Sequence, residues 1–471
     1  MSERIVQMKR LRDRTDFEAH LAELGITESL PIGDRSLLGH PIEVHGRQLG
    51  NRFAVLPMEG WDGTDDGRPT DLVRRRWTRF GASGAALVWG GEAVAVRPDG
   101  RANPRQLCIG PASVVDLHEL RELACRSAPG APPMIGLQLT HSGRWSRPER
   151  AFAPRVAFRH PWLDDRVGAT DEHVLTDTEL DDLVGDFVRA SVVAREAGFD
   201  FVDIKHCHGY LLHELLAAYE RPGRYGGSLE NRLRFFDEVV AGIRRDAPEL
   251  HVGVRLSAFD LAPHIAGNDG RGTPATDEYG FAFGGDGSGT GIDLSEPHEL
   301  CEHLVAAGVE LLCVTGGSPY YCPHAQRPAY FPPSDGYLPP RDPLHDVARL
   351  FDVASELAAT HSQLHVVATG ASYLQEWLPD VSAGLIERGV AMIGYGRGIL
   401  SYPELPNDVL EQREVARERL CRTFSDCTTA PRNGLISGCF PLDAHYKQMP
   451  ERQTLTTAKR AAEQARGGRR S

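Results

Sequence analysis

The amino-acid sequence predicts an α/β protein built as a (β/α)8 TIM barrel, with an N-terminal β-hairpin and a C-terminal extension. Three observations lead there. Eight short apolar runs alternate with stretches of helical periodicity between residues 53 and 396, and runs apolar on both sides are how strands buried in parallel sheets read. The segments after strands are long and rich in Gly, Pro and His, notably 142–174, 257–294 and 316–341, while those before strands are short. The fourth run, 201–206, opens into KHCHGY, and polar side chains at strand ends are what a barrel builds its active site from. A doubly wound sheet of similar strand count is the rival architecture.

In order, residues 1–34 read as a polar arm on the outside, with one weakly amphipathic helical piece at 16–24. A hairpin turning at 45–47 precedes the first strand, 53–58. Helix 71–80 and strand 84–89 follow, then helix 117–127 and strand 134–140. Helix 177–197 opens on a cap-like segment at 176–180 and leads to strand 201–206. Helix 229–245, strand 250–256, helix 296–307, strand 310–314, helix 343–360, strand 364–368, helix 374–388 and strand 391–396 complete eight units. The tract YGFAFGGDGSGTG (279–291) reads as a mobile flap or disordered insertion. The barrel therefore spans 35–420, and 421–471 form the extension, whose basic end from 454 is expected to fray.

With 471 residues, 41% of them hydrophobic, the chain can bury a large core. Its formal charge of -13 argues against a nucleic-acid partner. The N-terminus is charged from the start and no run nears 18 apolar residues, which excludes a signal peptide and a membrane span and implies a cytoplasmic protein. Nine cysteines at scattered positions read as reduced thiols rather than a disulfide framework. The expected partner is a small-molecule substrate; self-association into a homo-oligomer is compatible with the sequence.

Several residues have chemical potential. Arg255 ends the fifth strand, where a buried guanidinium needs an anion or an acceptor-rich partner; a structural ion pair and a ligand contact are both open. Gln138 sits among apolar neighbours in the third strand, where its amide serves structure or ligand. ATGAS (368–372) and GYGRGI (394–399) put glycines, and once an arginine, after the last two strands, the usual phosphate site of a barrel. His206 and His208 have the spacing of a metal pair in a metal-dependent barrel hydrolase. That reading needs further ligands, whereas the later strands end in Arg255, Thr315, Thr369 and Arg397. Lys205 at a strand end is also placed to form a Schiff base.

NRFAVLPM (51–58), LQLTHSGR (137–144), HGYLLHELL (208–216), RYGGSLENRLRF (224–235), VGVRLS (252–257) and GYGRGILSYPELP (394–406) together resemble the old yellow enzymes and their larger relatives, the 2,4-dienoyl-CoA reductases and trimethylamine dehydrogenase. The resemblance covers roughly 37–420 and implies an FMN-dependent (β/α)8 oxidoreductase using NADH or NADPH. It implies that Pro57 and Met58 lie against the flavin ring and that the backbone near Ala93 reaches its O4 edge. It places Gln138 and Arg255 on the pyrimidine side, and Gly370, Gly396 and Arg397 on the phosphate. Tyr210 falls on the tyrosine that protonates the substrate carbon, with Lys205 and His208 as the clamp on the activating group. The rival within flavin chemistry is a dehydrogenase or demethylase that oxidises a C–N or C–C bond.

Four departures stand out. Lys205 replaces a histidine, favouring a substrate with an anionic or enolate-forming end. Glu59 stands where a small flavin-tuning residue is usual. Cys421, Cys427 and Cys439 hold three positions of an iron–sulphur motif but Phe424 takes another, so an iron–sulphur cluster is not expected, while a zinc or vestigial site stays open. No dinucleotide-binding domains follow, so no second flavin is expected.

Overall fold

The computed structural model describes residues 5–467, with side chains through residue 464. Two short strands, β1 (Ile42–Val44) and β2 (Arg47–Leu49), pair antiparallel. Their turn residues His45 and Gly46 have φ of 48° and 70°, as a two-residue hairpin turn matching strand twist requires. The hairpin lies at the N-terminal end of the barrel, where His45 stacks on His251 with centroids 3.8 Å apart.

The barrel strands in chain order are β3 (Phe53–Val55), β4 (Leu87–Val88), β5 (Ala93–Ala95), β6 (Met134–Thr140), β7 (Phe201–Ile204) and β8 (His251–Ser257). After β8 its loop carries an antiparallel hairpin, β9 (His264–Ala266) with β10 (Gly272–Pro274). Strands β11 (Leu311–Thr315), β12 (His365–Ala368) and β13 (Met392–Tyr395) complete the set. Every barrel pairing is parallel. β13 returns to β3 (Tyr395↔Val55), and β4 bridges β3 (Val55↔Val88) to β6 (Val88↔Ile135), so the sheet closes. Closure excludes the doubly wound sheet, which leaves two edges.

Ala54, Leu56, Leu87, Trp89, Met134, Phe201, Leu311, Cys313, Val367 and Met392 form a cluster of their own inside the barrel. A larger apolar layer lies between the helices and the outer strand faces. Gly136 is glycine because a Cβ there would meet the Phe201 ring at 2.3 Å. The helix Asp177–Glu196 starts on a full capping box between Thr176 and Glu179, at the position the sequence indicates.

Several elements differ from expectation. The second strand is broken: the chain turns at Gly90–Gly91 and resumes as β5, and with φ 52° and Trp77 2.3 Å from where a Cβ would sit, only glycine suits position 91. The helix expected over 374–388 is a 3-10 segment, Ala371–Trp377, then an α-helix, Leu378–Glu387, with Gln375 at φ 55° between regular turns. The N-terminal arm is docked through its helix Arg14–Leu24, which buries Phe17 and Leu21, and Phe17 stacks on Trp377 at 4.8 Å. The glycine tract 279–291 packs in ordered turns, with Tyr279 and Phe283 buried and Ala262 N–H donating to Gly289 O at 2.8 Å. The tail forms a helix, Glu451–Gly467, anchored by buried Leu455 against Ala430, Phe440 and Tyr446; the remaining tail residues 468–471 lie outside the described part. No described helix is long and apolar enough to cross a membrane.

Candidate active site

At the C-terminal ends of the strands two adjoining cavities of about 210 and 480 Å3 share Pro57, Glu59, His208, Arg255, Gln326, Arg327, Cys427, Thr428 and Ser437. Local backbone geometry brings each side chain there. The turn after β3 is held from both sides: Met58 N–H donates to Gly91 O at 3.0 Å and Gly60 N–H to Glu92 Oε2 at 3.2 Å. Beneath it Arg76 is buried between Asp62 and Glu92, its Nη1 2.6 Å from Asp62 Oδ2 and its Nε 2.8 Å from Glu92 Oε1. Burial pushes Glu92 up to about 7 despite that arginine.

The floor of the larger cavity is organised by Asp203, which sits in the register Gln138↔Asp203 and is fully buried. It accepts from Trp89 Nε1 at 2.7 Å, from Gln138 Nε2 at 2.6 Å and from Arg255 N–H at 2.7 Å. Burial raises its pKa, while three N–H donors with no acceptor facing them favour the carboxylate. Asp203 thereby orients both residues singled out on strands three and five. Arg255 Nε has no hydrogen-bond partner although the residue is 5% exposed, so of the two readings left open for it the ligand contact is favoured over a structural ion pair. Ala93, paired with Gln138, also lines this cavity, and its carbonyl accepts from Gln106 Nε2 at 2.7 Å.

The smaller cavity ends at Gly370, Gly396 and Arg397, with Met58 at its side. Gly370 has φ 106°, and a Cβ there would approach Leu350 at 2.9 Å, so only glycine suits the position. Arg397 Nη2 donates to Pro328 O at 2.9 Å, while its buried Nη1 has no partner. Arg327, which the sequence reading missed, lies in the same cavity with its Nε unpartnered and its Nη1 bonded to Thr428 Oγ1. Burial first, then Arg397, lowers Arg327 to about 9. Two desolvated guanidinia sharing one pocket with spare N–H groups make a site for a doubly charged oxyanion. No pattern marks Arg327 in the sequence, because its loop carries no period.

The polar cluster after β7 divides. His206 turns away: its Nδ1 faces Ile204 O at 2.7 Å, its ring packs edge-on to Phe236, and it lines neither cavity. His208 enters the cavity on a left-handed backbone, φ 69°, held by Ser257 Oγ at its N–H (3.1 Å) and by Ser318 Oγ at its carbonyl (2.8 Å). The metal pair is thus split, and among the described residues no three His, Cys, Asp or Glu side chains could hold a metal ion. That includes Cys421, Cys427 and Cys439; Phe424 instead stacks on Phe331 at 5.6 Å. Burial, then Arg255 and Lys205, depresses His208 well below the usual imidazole range, so it is neutral.

Lys205 is buried with its Nζ 3.6 Å from the centre of the Tyr210 ring, a cation–π contact. Burial lowers its pKa. Tyr210 Oη donates to Glu59 Oε2 in a short bond and lies 3.0 Å from Tyr320 Oη. Burial and the Glu59 carboxylate raise the phenol well above 10. Tyr320 also stacks on Trp145, centroids 4.3 Å apart, forming an aromatic wall. The extension adds Cys427, Thr428, Pro431, Arg432 and Ser437 to the cavity lining, so it roofs the site.

Comparison with known proteins follows the same lines. Residues 38–269 match the profile of the NADH:flavin oxidoreductase / NADH oxidase family. The chain is 33% identical over 236 residues to an NADPH dehydrogenase of Geobacillus sp. (strain WCH70), covering 48% of this chain and 65% of that protein. It is 31% identical over 256 residues to an NADPH dehydrogenase of Bacillus subtilis (strain 168), covering 51% and 68%. Among solved structures it resembles a 2-naphthoyl-CoA reductase in complex with 2-naphthoyl-CoA, at 18% identity and a TM-score of 0.65, over 88% of this chain and 58% of that one. The chain thus spans about two thirds of the curated relatives, and the structural likeness supports the barrel fold.

Proposed function

Because the chain belongs to the NADH:flavin oxidoreductase / NADH oxidase family, we propose that it is an FMN-dependent enzyme transferring hydride from NADH or NADPH to an activated C=C bond of a carbonyl, carboxylate or thioester substrate. The observation that carries this reading is the set of buried guanidinium N–H groups without a partner that line the smaller cavity together: Arg255 Nε, Arg327 Nε and Arg397 Nη1. An unpaired buried donor costs about 1–3 kcal/mol, more when charged, so these groups fit a ligand with an acceptor edge and a separate phosphate. FMN has both. When bound, it supplies the two-electron hydride chemistry.

The protein's own groups then bind and orient. Arg255 would stabilise negative charge on the pyrimidine edge, and Gln138, fixed by Asp203, would offer its remaining amide atoms there. Gly370, Gly396, Arg397 and Arg327 would hold the phosphate, and Pro57, Met58 and the backbone near Ala93 would line the ring and its O4 edge. Neutral His208 donates one N–H, and Lys205 adds positive charge beside the activating group of the substrate. Tyr210 delivers the proton to the carbon alpha to that group. Trp145 and Tyr320 favour a flat conjugated substrate.

Anaerobic mixing tests the reading. NADPH should bleach the bound pigment, and an enone or enoyl thioester should restore the colour. Tyr210→Phe should slow the second step about 100-fold while changing the first far less. Equal effects on both steps would remove Tyr210 from the reaction. Bleaching by an amine metabolite without nicotinamide would replace the reductase by a dehydrogenase, and a protein that stays colourless with FMN would end the proposal.

A further inference from the structure

Glu59 is a carboxylate in the position beside Met58, and its contact with Tyr210 is a feature that the hydride reaction alone does not require. We propose that Glu59 is the proton reservoir of Tyr210: protonated Glu59 supplies a proton to Tyr210 Oη as the phenol gives its own to the substrate, and ionised Glu59 holds the phenol out of use. The inference rests on the reductase reading and adds the gate and the source of its proton.

The geometry leaves the phenol two neighbours among the described residues, Glu59 Oε2 and Tyr320 Oη. An ionised carboxylate is an acceptor only, so it draws the Tyr210 proton towards itself and away from the substrate. Donation from that state would leave a phenolate against a carboxylate in a buried pocket, two like charges in hydrogen-bond contact. A protonated Glu59 reverses the bond: its O–H donates to Tyr210 Oη, and the phenol proton is free to face the cavity. Glu59 is suited to recharge from water, since it is only half-buried while Tyr210 is 3% exposed. Its other oxygen meets only the Asn103 amide, at 3.4 Å, and among the described residues it forms no ion pair that would pin it in the ionised state. Its place is set by the backbone bonds of Met58 and Gly60 on either side.

The charges around the pair come from five elements. Lys205 stands over the Tyr210 ring, with Arg255 and His208 beyond it. Tyr320 lies on the other side, and Arg147 and Arg432 act on it from the rim. Because only protonated Glu59 can donate to Tyr210 Oη, the gate opens towards acid. The step balances. The O–H bond of Tyr210 breaks as a C–H bond forms alpha to the activating group, and the O–H bond of Glu59 breaks as that of Tyr210 re-forms. Hydride from NADH or NADPH, which is oxidised, completes reduction of the C=C bond at the beta carbon. Glu59 is left as carboxylate and takes its next proton from solvent.

The test uses the full FMN-loaded chain carrying tyrosine labelled with 13C at Cζ, with the Tyr210 resonance assigned by its loss in Tyr210→Phe. Without turnover, that resonance should titrate with pH in the parent protein, stay flat in Glu59→Gln, and titrate again, displaced, in Glu59→Asp. In turnover, the rate of enone reduction should fall on the alkaline side in the parent. In Glu59→Gln it should be about 10- to 100-fold lower at the parent's optimum and lose that alkaline limb. A flat Tyr210 resonance in the parent, or an alkaline limb that survives in Glu59→Gln, overturns the relay. If no enone is reduced but the resonance titrates through Glu59, the shared proton stands and the reductase reading falls; if enones are reduced and the resonance is flat, the relay alone falls.

Discussion

Replacing Arg397 with methionine should have opposite effects on the empty and the loaded protein. Arg397 and Arg327 are both buried at the same end of the cavity, each with an N–H lacking a partner, and burial depresses both guanidinia. Without an anion they repel, so removing one charge while keeping its volume should raise the melting temperature of the FMN-free protein. With FMN, the variant loses charge-assisted hydrogen bonds worth about 1.5–3 kcal/mol each. At 1.4 kcal/mol per factor of ten, losing one such bond weakens FMN about 10- to 150-fold. Relief of the repulsion between Arg327 and Arg397 offsets part of this, which points to the lower half of the range. The assay is flavin fluorescence quenching in parallel titrations with FMN and riboflavin, which differ by the phosphate alone. The parent should prefer FMN strongly, and Arg397→Met should lose most of that preference while its riboflavin affinity changes by less than about threefold. Unchanged discrimination between the two flavins would refute the phosphate assignment, and a lower melting temperature of the empty variant would refute the repulsion.

Three further outcomes follow from buried charge. Asp203→Asn puts an amide against three N–H donors; it should weaken FMN and, by removing negative charge beside Gln138 and Arg255, raise the two-electron potential by about 30–60 mV in dye-equilibration titrations. An unchanged potential would mean that Asp203 is protonated in the parent. Asp260, held by Tyr321 Oη at 2.5 Å and Leu261 N–H at 2.8 Å with no cation bonded to it, is pushed by burial from 3.8 up to about 7. Because its folded pKa is raised, its contribution to stability is present below pH 3.8 and is lost as pH rises through 7. At 1.36 kcal/mol per pH unit the interval comes to about 4 kcal/mol, so the stability of the parent relative to Asp260→Asn should fall by up to that amount from pH 4 to 8 in urea titrations. A constant difference would contradict it. Arg76→Met leaves Asp62 and Glu92 buried together without their cation and should cost about 3–5 kcal/mol of unfolding free energy, largely restored by adding Asp62→Asn and Glu92→Gln; no loss in urea denaturation would show that water already screens the triad.

Much of the fold was legible in the residues because its signals are local. Apolar runs such as 134–140 and capped helices such as 177–196 are set by periodicity and end chemistry within a few residues, and both appear where the pattern puts them. Errors came where distant packing decides the backbone. The second strand breaks at Gly91, whose left-handed backbone lies where Trp77 leaves no room for a side chain. The tract 279–291 reads as a flap, yet Tyr279 packs with Ala262 and Ala282, and Phe283 joins the main core.

The site divides along the same line. Residue types at and just beyond strand ends mark Lys205, His208, Tyr210, Arg255 and Arg397 as chemical groups, and Gln138 stands out as an amide inside an apolar strand. Which atoms face one another is beyond the reach of sequence. Glu59 and Tyr210 are 151 positions apart, and Arg327 and Arg397 are 70 apart, yet each pair shares one pocket. By itself the order of residues determined the barrel and the kinds of groups at its rim. Only the closed sheet, by bringing the ends of eight separated strands to one mouth and burying charges that water would otherwise screen, decided which groups act on each other and how strongly.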